Sequence, residues 1–124
     1  MANTSEDVPD DEFRIKLAMY ERRIGIYEEV REIFGTALNN HKIADLIAFK
    51  KATEEAGSLF GEDIPTYINE IFDRGVKYCT GREAYDRGGM GQPALDEMHA
   101  HERWLADQVP IAKEKFKKYI DADI

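Results

Sequence analysis

The sequence predicts an all-α protein, an antiparallel helical bundle of three long helices plus one short helix, and three observations carry that reading. More than a third of the residues are charged while prolines number only four, a mix that suits long solvated helices better than a sheet sandwich. Apolar residues recur at helical spacing over long stretches. The glycines and prolines, which break such patterns, gather in a few short segments. A chain of 124 residues is one domain of ordinary size and can bury one core without disulfides or metals.

The predicted domain organisation is an acidic arm over 1–11, a single bundle over 12–120 and an acidic tail over 121–124. The arm, MANTSEDVPDD, is small, polar and acidic, so it reads as disordered. Pro9 is expected to hold it out of a helix, with Asp10 or Asp11 capping the first helix. From Glu12 to Leu38 one long helix is expected. Phe13, Leu17, Tyr20, Ile24, Tyr27, Val30, Phe34 and Leu38 form one stripe, and Ile15, Met19, Ile26 and Ile33 form a second beside it. A helix this broadly apolar needs covering from two directions, by two neighbours of its own bundle or by one neighbour and a partner chain. A short helix should run from Ile43 to Ala56 and stop at Gly57. Leu59 and Phe60 should plug the core. Glu62 or Asp63 should cap a third helix, with Pro65 in its first turn and Tyr67, Ile68, Ile71, Phe72, Tyr78, Cys79 and Tyr85 along its stripe. Gly75 on that stripe is either a place of close helix approach or a weak point. Residues 87–93, RGGMGQP, form a loop without the lysine and hydroxyl of a phosphate loop. The fourth helix should run from Ala94 to Tyr119, bent at an outward-facing Pro110. Lys113, Lys115, Lys117 and Lys118 then complement its negative pole.

The net charge of −8 is terminal: residues 1–12 hold five acids and no base, the tail adds Asp121 and Asp123, and between Phe13 and Ile120 there are 17 basic and 18 acidic side chains. The body therefore offers no basic face for nucleic acid. No apolar run approaches the length of a membrane span. One cysteine, Cys79, permits no internal disulfide and fits a reducing, cytoplasmic setting.

The one local cluster that looks chemical is DEMHAHERW, residues 96–104. His99 and His101 lie two positions apart, so on a helix they point about 160° from each other and cannot share a metal. Asp96 and His99 make half of a ligand motif that nothing repeats. His101 falls on the apolar stripe with Met98, Leu105, Ala112, Phe116 and Tyr119, and Gln108 shares that face. Both should be buried polar residues bonded across helices, to Glu21, Tyr20 or Tyr27. Trp104 lies beside the stripe, half in and half out, which suits an edge of the core or a partner contact. His99 and His41 read as exposed, and Cys79 as a small hydrophobe. No catalytic residue, metal ligand or cofactor site emerges.

Three stretches, YERRIGIYEEVREIF, ATEEAGSLFGEDIPTYINEIFDRGVKY and ERWLADQVPIAKEKFKKYI, together resemble an uncharacterised group of bacterial proteins whose all-helical domain often follows an N-terminal membrane anchor. The resemblance implies a helical, non-enzymatic module. The chain departs from it in carrying the acidic arm in place of the anchor and a glycine-rich loop where the relatives tend to be helical. A free-standing bacterial or mobile-element protein is the expectation, acting as a protein-interaction module and homodimer, with Ile15, Met19, Ile26, Ile33 and Trp104 at the interface. An acidic inhibitor or nucleic-acid mimic, and a metal-dependent enzyme, are the alternatives.

Overall fold

In the computed structural model the backbone is described for residues 3–120 and the side chains from Asp10 to Ile120. Among the described residues there is no strand, and the chain forms α1 (Asn3–Asn40), α2 (Ile43–Ala52), α3 (Ala56–Leu59), α4 (Asp63–Arg87), α5 (Gln92–Ala106) and α6 (Gln108–Ile120). The expected acidic tail over 121–124 lies outside the described residues.

The first helix starts at Asn3, within the segment expected to be a disordered arm. Pro9 removes a single backbone hydrogen bond to residue 5, and its fixed φ is helical. The acidic run falls in the first turns, where negative charge favours the helix dipole. Asp10 and Asp11 are therefore not caps; both are exposed, with Asp11 3.9 Å from Arg14. The helix ends through His41, whose φ of 56° closes a hydrogen bond from its N–H to Ala37 O at 3.1 Å. Histidine is among the few side chains that take this left-handed conformation readily.

The two stripes of α1 do not divide as expected. Ile26, Val30, Ile33, Phe34 and Ala37 are all buried in one core, whereas Phe13, Ile15 and Leu17 are exposed. Burial therefore divides α1 by position along its axis: the carboxy-terminal part is covered on both stripes by α2, α5 and α6, and the amino-terminal part on neither. The expectation that Ile26 and Ile33 form an outer edge is corrected accordingly.

The short second helix stops at Ala52, earlier than Gly57. Thr53 turns the chain, donating its hydroxyl to Phe49 O at 2.9 Å, and Gly57 falls inside α3. Leu59 and Phe60 do plug the core. Phe60 meets the rings of Phe116 and Tyr119 edge-on at 5.2 and 5.1 Å. At the start of α4 no side chain caps from Glu62. Asp63 instead accepts a hydrogen bond from the Tyr119 hydroxyl at 2.6 Å and lies 3.1 Å from Lys118, and the same hydroxyl accepts the Gly61 N–H at 3.1 Å. These contacts hold the Asp63 carboxyl below the usual carboxylate range, Tyr119 first and Lys118 after it. Nearby, Arg23 donates to Leu59 O at 2.8 Å and to Tyr119 O at 3.4 Å, tying α1, α3 and α6 at one end.

The expected fourth helix is two. Asp107 is a turn residue between α5 and α6, its N–H shared between Arg103 O and Trp104 O at 3.1 and 3.2 Å. Pro110 lacks the N–H that would bond Ala106, and its ring clashes with that carbonyl in a continuous helix. The break lets α5 pack on α4 while α6 packs on α1.

Gly75 is a point of close approach. A Cβ there would sit 2.5 Å from Leu46 Cδ2 and 2.9 Å from its Cδ1, and Leu46 is wholly buried. Gly75→Ala adds helix propensity of about 1 kcal/mol but overpacks this contact by about 1–3 kcal/mol. Urea denaturation should show Gly75→Ala destabilising by about 1 kcal/mol in the native background and stabilising by a similar amount once Leu46→Ala opens the space. An equal effect in both backgrounds would contradict the contact.

Candidate functional site

A groove of about 270 Å³ lies between α4 and α5. One wall is Val76, Lys77 and Thr80 of α4, and the other is Ala94, Glu97 and Met98 of α5. Met90, from the loop joining these helices, also lines it. That loop is residues 88–91, shorter than expected, because Gln92 and Pro93 open α5. Gly88 and Gly89 have φ of 85° and 80°, so two consecutive left-handed residues turn the chain back sharply.

His101 also lines this groove. It is 9% exposed, as its place on the apolar stripe predicts, but neither ring nitrogen has a hydrogen-bond partner. The nearest acid is Glu97, 3.7 Å from Nε2 and itself mostly exposed. The expected bond from His101 to α1 is thus absent. Gln108 does bond across helices, though to α4 instead of α1: the buried Tyr67 hydroxyl donates to Gln108 Oε1 at 2.7 Å. Burial, with Glu70 adding to it, raises Tyr67 well above the ordinary phenol range.

The remaining residues singled out by the sequence lie outside this groove. Trp104 is half-buried beside Tyr67, ring centroids 6.4 Å apart, with the Arg74 guanidinium 5.0 Å over its face. Met19 is half-buried and Ile15 is 63% exposed. His99 lies 3.3 Å from Glu102, which in turn accepts from the Tyr78 hydroxyl at 3.2 Å. Burial, then Glu102, pushes Tyr78 up to about 12. His41, expected to be exposed, is half-buried with its ring edge-on to Tyr78 at 5.6 Å. The spacing of His41 behind an "NN" pair signals a helix end, but nothing local to it indicates a ring contact with a residue so distant in sequence.

Cys79 is buried and its thiol is pushed up to about 11 by burial first and Asp45 second, so at neutral pH it is a protonated small hydrophobe. Among the described residues no group of three or more His, Cys, Asp and Glu side chains is arranged to hold a metal, and no helix is long and apolar enough to cross a membrane. Comparison of the chain with protein-family models, with curated proteins and with solved structures finds no match. What the groove provides chemically is an apolar trough with opposite charges, Lys77 and Glu97, on its two walls.

A buried imidazole with no bonded partner is a net burden on the fold, since each unsatisfied polar group costs about 1–3 kcal/mol. His101→Leu should therefore leave the urea midpoint unchanged or raise it. A fall of about 2 kcal/mol or more, the size expected for a lost buried hydrogen bond network, would show that the ring is bonded in solution.

Proposed function

We propose that this chain is a non-catalytic protein-interaction module that pairs with a second copy of itself through the amino-terminal part of α1. One observation carries the reading. From Asp10 to Ala18 every residue is exposed, yet this stretch bears Phe13 at 65%, Ile15 at 63% and Leu17 at 43% exposure. Fully burying such side chains contributes about 1.5–3 kcal/mol each, and a symmetric pair counts every contact twice. The sequence-based interface thus changes: Phe13 and Leu17 form the pairing ridge, Ile15 and Met19 lie about 160° round the same helix from them, and Ile26 and Ile33 leave it for the core.

The module itself is read as a bundle in which α1, α4 and the α5–α6 pair lie nearly antiparallel, in a cytoplasmic bacterial or mobile-element protein. An acidic mimic of nucleic acid would need a face of carboxylates without interspersed bases. The outer face of α4 instead alternates its charges, in the pairs Glu70–Arg74, Asp73–Lys77, Arg82–Asp86 and Glu83–Arg87.

Sedimentation of the native chain at high micromolar concentration should give twice the chain mass. Leu17→Glu should return it to the monomer with helicity by circular dichroism intact, whereas Ile33→Glu should lose helicity, because it places a charge in the core. A native chain that sediments as a monomer would remove the proposal.

A further inference from the structure

We infer that the two copies pair in parallel, along a single seam that runs from Phe13 to Ile24 of α1 on each, an inference that rests on the self-pairing proposed above. Phe13, Leu17, Tyr20 and Ile24 follow one another at steps of four, three and four residues. That is the spacing at which two helices wind together, each apolar side chain entering a hole on the other. At about 100° per residue the four fall within one arc of roughly 60°.

The bundle leaves this arc open. The buried residues Ile26, Val30, Ile33, Phe34 and Ala37 centre roughly 130° round the helix from it, so the body of each copy lies to the side and behind. Phe13 and Leu17 are exposed, whereas Tyr20 and Ile24 are half-buried at the border of the core, each keeping part of its surface in solvent. Beyond Ile24 the arc passes to Arg31, whose guanidinium lies 5.8 Å from the centre of the Tyr27 ring, and the apolar part of the seam stops there.

Which way the second copy runs is set by the charges beside the seam. Lys16 and Glu21 flank it, roughly 70° to either side, and both are exposed. Among the described residues neither makes a hydrogen bond or an ion pair. Five positions apart, they lie too far round one helix to meet each other. A two-fold axis running along the seam sets one flank of each helix against the other flank of its partner, and Lys16 then meets Glu21 of the second copy, twice over. An antiparallel pair sets like flank against like: Lys16 would meet Lys16 or Arg23, and Glu21 only Arg14, which already lies 3.9 Å from Asp11 of its own chain. The parallel pair therefore gives Lys16 and Glu21 opposite partners. It also sets Asp10 beside Asp10, outside the apolar seam, where water and salt screen the repulsion.

The test is interchain disulfide formation in two full-length variants, each oxidised alone. Asp10→Cys continues the seam three residues before Phe13, so a parallel pair holds its two thiols side by side. An antiparallel pair that matches Phe13 with Leu17 or with Ile24 holds them about 15–25 Å apart. Glu29→Cys, exposed on the back of α1 roughly 150° from the seam, is the control. Native Cys79 is buried and protonated and stays silent. Mild oxidation should give about tenfold more disulfide dimer for Asp10→Cys than for Glu29→Cys, because pairing raises the local thiol concentration. Sedimentation of the native chain is run beside it. Equal yields from a chain that sediments as a dimer would overturn the parallel seam and leave self-pairing standing. Equal yields from a monomeric chain would overturn both.

Discussion

The rest of the structure depends on a mismatch of lengths: α1 is 38 residues long, and of its side chains described, from Asp10 onward, the helices that pack on it cover none before Met19. Where they do cover it, Ile26, Val30, Ile33, Phe34 and Ala37 are buried, and Ile24, Tyr27 and Leu38 pack against them half-buried. The helices α2, α5 and α6 all pack on α1, and both of its apolar stripes between Ile26 and Ala37 enter a single core. Where they do not, the same helical pattern continues with nothing over it. An isolated helical stretch of this size is marginal in water, and continuity with the covered part supplies its nucleus.

The bundle is fastened at one end and midway along by residues from distant positions. At one end Arg23, Tyr119, Asp63 and Lys118 join α1, α4 and α6. Midway, the bare backbone of Gly75 admits Leu46 and draws α2 onto α4. The break at Asp107 then allows the last part of the chain to serve two neighbours, with α5 completing the groove against α4 and α6 closing over Tyr27 through Phe116, ring centroids 5.2 Å apart. The groove lies where the glycine turn after α4 leads into α5 packed back along it.

Much of this was legible in the residues. Helical periodicity located the apolar positions of α1 and α4, the Leu59–Phe60 plug, the glycine loop and the close approach at Gly75, because each is a local property of pattern or backbone. The burial of His101 and Gln108 followed from their shared face. What periodicity could not supply was the identity of the neighbour. Ile26 and Ile15 look alike on a helical wheel, yet one is 3% and the other 63% exposed, because coverage depends on where other helices end. For the same reason Gln108 finds Tyr67 instead of a residue of α1, and Pro110, read as a bend, breaks the helix. The groove itself was not foreseen, since its two walls come from segments with no shared motif.

The central claim is that the amino-terminal part of α1 is held as helix by a second copy. Amide hydrogen exchange resolved along α1 tests it most directly, with Ile26–Ala37 as the internal reference. The account predicts that amides from Asp11 to Ala18 exchange quickly in dilute protein and become protected as concentration rises, while the reference stays protected throughout. Exchange over Asp11–Ala18 that is the same at every concentration would contradict it.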